Sequence, residues 1–132
     1  MVIIPFHPHL LSEVHELFDL CNSGVAKGWT FNPNRTLIAL KDDKVVGFLA
    51  CWRDGQPIAW VDMLLVHPDY RNQRVGATLC YTLEALLKSE GVSVIRCVID
   101  EGNDLAAPLT KAGFSTVGTF TIMEKHYEAQ GS

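Results

Sequence analysis

Residues 67–79 (HPDYRNQRVGATL) combine residue types in an order that could hold a negatively charged ligand. They follow an apolar run, residues 60–66, and lead into a helical pattern. A helix N-terminus offers unpaired N–H groups and the positive end of the helix dipole, so a flexible turn before it lets a phosphate approach. The guanidinium group of Arg71 adds a positive charge with several N–H donors, and Gly76 has no side chain that would block the approach. Since many strand-to-helix turns contain Arg and Gly, this stretch alone is compatible with an anion site or a simple chain reversal.

Asp62 is the first candidate for proton transfer. It lies inside an apolar strand pattern, where burial would disfavour the charged carboxylate and make it a better base. Strand alternation predicts that its side chain shares a face with Trp60 and Leu64. A structural ion pair with an arginine explains an acid in a strand equally well. Glu101, at the end of the next predicted strand, is the second candidate.

Hydrophobic periodicity predicts the elements that must position these residues. Strands are predicted at residues 2–4, 36–40, 44–52, 59–66, 92–99 and 114–124, with 92–99 central because its apolar run is continuous. Helices are predicted at residues 10–21, from residue 75 to 90, and near 104–112. The loop at residues 25–34 contains Trp29 and Phe31, which with Trp52 and Trp60 could wall a pocket or form core. The order predicts one α/β sandwich with a mixed, mostly antiparallel sheet flanked by helices.

Composition narrows the class of protein. With 48% apolar and 20% charged residues, the 132-residue chain is expected to form a single globular domain over residues 1–132. The net charge of −4 and the lack of a basic stripe argue against nucleic acid. No signal-peptide pattern or membrane-length apolar run is visible, so we expect a cytoplasmic protein without a membrane partner. The four cysteines and five histidines lack ligand spacing, so no metal is expected.

Together with the strand before it and the helix after it, the stretch at residues 67–79 resembles the signature of the GNAT superfamily of acetyl-CoA-dependent N-acetyltransferases. In that family a strand ends in V-x-P-x-Y-R, followed by R/Q-x-x-G-x-G/A and a long helix. Here V-H-P-D-Y-R stands at residues 66–71 and R-N-Q-R-V-G at residues 71–76, with Arg74 in place of the first glycine. Lys111 and Gly113-Phe114 match a further K-x-G-F motif. The predicted order of elements also agrees over nearly the whole chain.

The resemblance implies acetyl-CoA as cosubstrate and no metal. In the family, the strand before the signature splays from its neighbour and pairs with the pantetheine arm of the cofactor, while the turn amides hold the pyrophosphate. The implied cofactor contacts are Leu64, Leu65, Val66, Arg71, Asn72, Gln73, Arg74, Val75, Gly76, Ala77 and Asn103.

Several positions depart from the family pattern. Arg74 stands at a helix start, where right-handed dihedrals would suffice, and its side chain either contacts phosphate or stays in solvent. Leu109 replaces a tyrosine that often protonates the departing CoA thiolate, although a thiol of pKa about 8.5 is a tolerable leaving group. Pro108 requires the last helix to begin close to it. Asn103 lies one residue nearer Gly113 than is common, so a helix cap is its alternative role.

The function implied is direct transfer of an acetyl group from acetyl-CoA to a primary amine, without an acyl-enzyme, with Asp62 or Glu101 as base. The acceptor would be an amine on a small molecule or a peptide, and a hydroxyl acceptor is a further alternative. A non-catalytic acyl-CoA-binding or protein-interaction module on the same scaffold is the alternative from another class. The predicted edge strand at residues 114–124 could pair with a second subunit to give a homodimer.

Overall fold

Five strands and three helices make up the part of the chain that the structure, a computed structural model, describes: residues 1–21, 35–53, 55, 57–99 and 104–128. The strands are β1 (Val2–Pro5), β2 (Thr36–Lys41), β3 (Lys44–Arg53), β4 (Ile58–Val66) and β5 (Val94–Cys97). The helices are α1 (Leu11–Leu20), α2 (Val75–Ser89) and α3 (Ala106–Lys111). The predicted order of elements as far as α3 is thereby confirmed, whereas the loop at residues 25–34 lies outside the described residues.

The strands form one mixed sheet in the order β1-β2-β3-β4-β5. All pairs are antiparallel except β4 with β5, which run parallel. The hairpin between β2 and β3 turns at Asp42 and Asp43, which both have positive φ, at 52° and 63°. Positive φ at both central residues matches the right-handed twist of the flanking strands. The predicted mixed, mostly antiparallel sheet is confirmed.

Helices cover both faces of the sheet. On one face, α2 buries Leu79, Leu83 and Leu87 in a cluster with residues of β2, β3 and β4. On the other face, α1 buries Val14, Leu17 and Phe18, and the Phe18 ring meets Phe48 edge-on, with ring centroids 5.1 Å apart. Burial of these two apolar layers stabilises the sandwich. Among the described residues, no helix is long and apolar enough to cross a membrane.

The prediction of a central strand at residues 92–99 is wrong in two respects. The strand β5 is only four residues long, and in the described sheet it pairs with β4 alone. Val94 and Arg96 are exposed, while Ile95 and Cys97 are half-buried. A continuous apolar run indicates hydrophobicity but does not determine how many neighbours a strand has.

The predicted strand at residues 114–124 is also wrong for this structure. No strand is formed from residue 114 to residue 128, and the side chains after Phe114 are exposed. The N–H of Phe114 donates to the carbonyl of Leu109 at 3.0 Å, which closes α3. Strand propensity needs a partner strand to become structure, and none pairs with this segment within the described chain.

Candidate functional site

A cleft opens between β4 and β5 where their pairing ends. The parallel register runs from Ile58 opposite Val94 to Val61 opposite Cys97, and β4 then continues to Val66 without β5 beside it. The cleft has a volume of about 170 Å³. Its lining includes Asp62, Leu64, Cys97, Val98, Leu105 and Leu109. Splaying of two parallel strands thus creates a site at the centre of the fold, as the family resemblance implied.

The second half of β4 has backbone groups available on the cleft side. The N–H of His67 donates to the carbonyl of Val46 at 2.8 Å, and Leu65 and Val66 lie opposite Phe48 and Gly47. Bonded and non-bonded pairs alternate in an antiparallel ladder, so Leu65 bonds to β3 while Leu64 and Val66 direct their backbone groups toward the cleft side. An extended ligand can therefore pair with the backbone of Leu64 and Val66. Leu65 can contact such a ligand only through its side chain.

A thiol lies at the end of this groove. The Cys21 sulfur donates to the carbonyl oxygen of Val66 at 3.5 Å. Partial burial raises the pKa of the Cys21 thiol, although the Arg71 guanidinium beside it acts in the opposite direction. Cys21 follows α1, so the end of this helix reaches the cofactor side of β4. Sequence analysis missed this contact because it joins residues 45 positions apart.

Asp62 occupies a β-bulge in β4. Met63 lies opposite Ala50 and Val61 lies opposite Cys51, so Asp62 is the extra residue. A bulge breaks the alternation of side chains, and Val61 and Leu64 accordingly enter the same core cluster. Alternation therefore does not determine the face of Asp62, and both Asp62 and Leu64 line the cleft. The predicted burial is wrong, since the side chain is exposed, but the bulge does place Asp62 in the lining of the cleft.

The chain leaves β4 through a short 3₁₀ turn, Pro68–Tyr70. The buried His67 begins this turn, and its Nδ1 accepts a hydrogen bond from the N–H of Asp69 at 3.1 Å. The His67 and Tyr70 rings meet edge-on with centroids 5.2 Å apart. These contacts give His67 a structural role in shaping the turn.

Residues 71–74 form the exposed turn before α2. Asn72 and Arg74 both have positive φ, at 68° and 64°. The prediction of right-handed dihedrals at Arg74 is therefore wrong, and the position has the left-handed backbone that glycine adopts most readily. Nearby, Gln73 accepts a hydrogen bond from Lys41 Nζ at 2.7 Å, and Arg71 lies 3.4 Å from a carboxylate oxygen of Asp104. All four turn side chains are exposed beside the helix N-terminus.

The first turn of α2 presents unpaired donors. Its first helical bond runs from the N–H of Thr78 to the carbonyl of Arg74, at 2.9 Å, so the N–H groups of residues 75–77 precede the bonding pattern of the helix. A Cβ added to Gly76 would lie 3.6 Å from a methyl carbon of Val66. Gly76 thus faces β4, and an added Cβ would make an ordinary van der Waals contact with Val66.

Four further positions complete the comparison with the sequence. Glu101 and Asn103 lie outside the described residues, so their roles stay predictions. Leu109 is buried and lines the cleft. Pro108 is in the first turn of α3, which begins at Ala106, where no N–H is needed. Across the described ranges, no group of three His, Cys, Asp or Glu residues could hold a metal ion.

The separation of β4 from β5, the exposed turn after β4 and the helix that follows agree with a match to a protein family. The sequence matches the model of the Acetyltransferase (GNAT) family over residues 5–114, and the chain belongs to that family. It is an acyltransferase of the N-acetyltransferase type, and its cosubstrate is acetyl-CoA. No curated protein matches the chain.

Solved structures share the fold at low sequence identity. Aminoglycoside N-acetyltransferase AAC(6')-Iy in complex with CoA is 15% identical with a TM-score of 0.74, covering 95% of this chain and 99% of that chain. The ribosomal-protein-alanine N-acetyltransferase of Brucella melitensis biovar Abortus 2308 is 15% identical with a TM-score of 0.75, covering 96% and 100%. The ribosomal-protein-S18-alanine N-acetyltransferase of Escherichia coli is 18% identical with a TM-score of 0.70, covering 89% and 79%.

Proposed function

We propose that the protein transfers an acetyl group from acetyl-CoA directly to a primary amine, with both substrates bound together and no acyl-enzyme. The observation that carries this proposal is the groove where β4 continues beyond the end of its pairing with β5. The groove presents backbone donors and acceptors at Leu64 and Val66. Gly76 in the first turn of α2 faces Val66 at the end of β4, so the unpaired N–H groups that begin α2 lie near the end of the groove, within reach of one extended molecule.

The cofactor would extend along this side of β4 from its thioester to its phosphates. Its pantetheine arm would pair with Leu64 and Val66, as an extra strand pairs with a sheet edge. Its pyrophosphate would accept hydrogen bonds from the N–H groups of residues 75–77, where the helix dipole favours negative charge. The exposed side chains of Arg71, Asn72, Gln73 and Arg74 surround that position. Leu65 would contribute packing through its side chain.

Asp62 is the general base in this proposal. An alkyl amine has a pKa around 10, so it must lose a proton before its nitrogen can attack the thioester carbonyl. Asp62 lines the cleft and is exposed, so it can accept that proton directly or through one water molecule. A backbone N–H of Leu64 or Val66 would donate to the developing oxyanion. Glu101 is the second candidate base, and Asn103 a candidate cofactor contact.

The leaving group departs without help from the residue at position 109. When the C–S bond breaks, the electron pair stays on sulfur, and Leu109 in the cleft lining has no proton to give. Water must protonate the thiolate, or the thiolate leaves as it is, because a thiol pKa near 8.5 makes it a tolerable leaving group. Leucine at position 109 is the feature on which the alternative rests, a non-catalytic acyl-CoA-binding module.

Direct transfer is supported by the state of the thiol in the cleft. Cys97 is the cysteine in the cleft lining, and partial burial raises the pKa of its thiol. A protonated thiol is a poor nucleophile, so an acetyl-cysteine intermediate is disfavoured. We therefore expect Cys97→Ser to keep transferase activity and to form no acetylated protein when incubated with acetyl-CoA alone.

The acceptor is proposed to be an amine on a small molecule or a peptide. Solved structures of the same fold include N-acetyltransferases for aminoglycosides and for a ribosomal-protein alanine. Since these proteins are at most 18% identical to this chain, they support amine chemistry without selecting one acceptor.

The proposal is tested by calorimetric titration of acetyl-CoA into matched charge variants. Ala77→Glu places a carboxylate in the first turn of α2, beside the proposed pyrophosphate, where the helix dipole itself tolerates negative charge. Ala85→Glu makes the same change at an exposed position later in α2. We expect Ala77→Glu to weaken binding by about tenfold or more and Ala85→Glu to leave it unchanged. Equal affinities for wild type and Ala77→Glu would contradict the placement.

The variant Asp62→Asn distinguishes an effect on catalysis from an effect on acetyl-CoA binding. The neutral amide is nearly the same size as the carboxylate but cannot accept the proton. We expect the transfer rate to an amine panel to fall by about a hundredfold with the acetyl-CoA Kd unchanged. A folded wild-type protein that binds acetyl-CoA and acetylates none of the amines would support the non-catalytic alternative.

A further inference from the structure

Three large side chains form a row across the sheet beside the cleft. Trp52 on β3 lies opposite Trp60 on β4, and Trp60 lies opposite Arg96 on β5. The two indole rings are stacked, with centroids 6.0 Å apart and an angle of 7° between their planes. The guanidinium carbon of Arg96 lies 5.5 Å from the centroid of the Trp60 ring. Cross-strand neighbours on one face contact each other, so Trp52, Trp60 and Arg96 form one surface, here called the aromatic row.

The aromatic row lies on the face of the sheet that is opposite α2. Ala59 and Val61, the neighbours of Trp60 along β4, belong to the core cluster beneath α2. Because side chains alternate between the two faces of a strand, Trp60 points to the other face. Neither of the two core clusters includes Trp52 or Trp60. The aromatic row is therefore a surface outside the described core.

The described chain does not bury this row. Phe120, from the segment after α3, meets Trp60 edge-on at 6.4 Å between ring centroids. Phe120 nevertheless keeps 65% of its area exposed, and Trp52 keeps 44%. Exposed aromatic rings of this kind offer a stacking surface to a flat apolar group.

The row adjoins the mouth of the cleft between β4 and β5. The pair that follows Trp60 and Arg96 is the last one that joins these two strands. Asp62, the next residue of β4, lines the cleft that opens there. One step along a strand covers about 3.3 Å, so a small molecule lying on the row could extend a group into the cleft. The row is thus placed to hold the acceptor beside the proposed site of transfer.

Two opposite charges stand at this mouth. Asp62 and Arg96 are both exposed, and within the described ranges neither side chain forms an ion pair. Stacking on Trp60 occupies the flat face of the guanidinium and leaves its N–H edge free to donate. A carboxylate is the group that this edge binds best, through two parallel hydrogen bonds. The mouth therefore complements a ligand with an ammonium group for Asp62 and a carboxylate for Arg96.

We propose that the acceptor is a free amino acid with an aromatic side chain, and that Arg96 determines this specificity by binding its carboxylate. The inference rests on the proposed function, because the acceptor amine must meet Asp62 and the thioester in the cleft. The aromatic ring of the acceptor stacks on the row while its amine enters the mouth. An amine without a carboxylate leaves the charge of Arg96 without a partner, and one without a ring leaves the indoles exposed.

NMR titration with three matched ligands tests this specificity. Phenylalanine has the amine, the carboxylate and the ring, whereas phenethylamine lacks the carboxylate and alanine lacks the ring. The titrations use protein saturated with CoA, so that no acetyl group is transferred. We expect phenylalanine to bind about tenfold more tightly than either of the other two ligands.

Matched variants assign the two preferences to their side chains. Arg96→Gln should abolish the preference for phenylalanine over phenethylamine and keep the preference over alanine. Trp52→Ala should weaken phenylalanine and phenethylamine alike by severalfold, because both ligands have the ring. Lys88→Gln removes an exposed positive charge on α2, away from the cleft, and should change none of the three affinities. Acetyl-CoA affinity should be the same in all of these proteins.

Acetylation assays with acetyl-CoA separate this proposal from the proposed function. Acetylation of simple amines, with phenylalanine bound no more tightly than phenethylamine, overturns the amino-acid specificity and leaves the transferase function intact. The expected binding order without acetylation of any amine supports the site and contradicts the transferase function. Absent binding of phenylalanine, or a carboxylate preference that persists in Arg96→Gln, overturns the proposal.

Discussion

The two halves of β4 differ in what lies beside them. From Ile58 to Val61 the strand pairs with β3 on one side and with β5 on the other. From Met63 to Val66 it keeps β3 and loses β5. Asp62 separates the halves as the extra residue of a bulge. One strand thus provides a structural half, which has a strand on each side, and a half proposed to bind the cofactor (the binding half), which has no strand beside its outer edge in the described chain.

The difference shows how the fold combines rigidity with an open site. The binding half is fixed by β3 and by α2, so its free groups at Leu64 and Val66 are held in position before a ligand arrives. Preorganised donors cost less ordering entropy on binding. The bulge adds a second effect, because it re-aims the Asp62 side chain into the cleft at the boundary between the halves.

The largest expected effect is at Gly47, which lies opposite Val66 in the binding half. A Cβ there would lie 2.7 Å from Val75 Cγ1 and 3.0 Å from Leu79 Cδ1, so Gly47→Ala must displace these side chains or α2 itself. We expect a loss of about 1–3 kcal/mol in unfolding free energy, measured by urea denaturation, together with weaker acetyl-CoA binding. Gly118→Ala, whose Cβ would meet no atom within 4 Å, is the control for both measurements.

Trp60→Ala is the matching change in the structural half. It removes the stacking of Trp60 on Trp52, whose ring centroids lie 6.0 Å apart. We expect a loss of about 2 kcal/mol, below the ~3–5 kcal/mol typical of buried tryptophan because Trp60 is half-buried. Acetyl-CoA affinity should stay unchanged. If Trp60→Ala weakened acetyl-CoA binding as much as Gly47→Ala, the division between the halves would fail.

An intermediate effect is expected at Arg74, whose left-handed backbone strains an arginine. Arg74→Gly should raise the unfolding free energy by about 1 kcal/mol. If the guanidinium contacts phosphate, the same change should weaken acetyl-CoA binding by about threefold to tenfold at low salt and less at high salt. If wild type and Arg74→Gly bound acetyl-CoA equally at low and high salt, Arg74 would lie in solvent and contribute only backbone strain.

The smallest effect concerns the thiols at the two ends of the binding half. Burial raises the pKa of both Cys21 and Cys97, so their thiolate fractions near neutral pH are below those of free cysteine. Maleimide labelling of either thiol should be slow at pH 7 and should rise through pH 9. Acetyl-CoA should slow labelling at Cys21 and Cys97 severalfold, as read by mass spectrometry of tryptic peptides. Unchanged labelling at Cys21 would place the cofactor away from Val66.

The elements with strong periodicity were predictable from sequence. The apolar face of α2 and the hairpin at Asp42-Asp43 depend on local patterns, and both are confirmed. The turn between β4 and α2 was also predicted from the order strand, turn, helix, and its role in holding the cofactor stays a prediction. These features follow from interactions between residues close in sequence, which a single chain displays directly.

The features that failed depend on partners or on backbone detail. The apolar strand pattern predicted a buried Asp62, but one extra residue breaks the alternation of side chains, and no residue type identifies a bulge in the sequence. The residue type at position 74 did not indicate a positive φ, because arginine rarely adopts one. The segment at residues 114–124 has strand composition, yet pairing depends on a neighbour that the sequence does not identify.

Hydrogen exchange of backbone amides tests the central claim most directly. The N–H groups of Leu64 and Val66 face the cleft side, while that of Leu65 bonds to β3. On adding acetyl-CoA, we predict slower exchange, read by NMR, at Leu64, Val66 and residues 75–77, and little change at Leu65 and in the structural half of β4. Protection absent at Leu64 and Val66, in a protein saturated with acetyl-CoA, would contradict the claim that the binding half of β4 holds the cofactor.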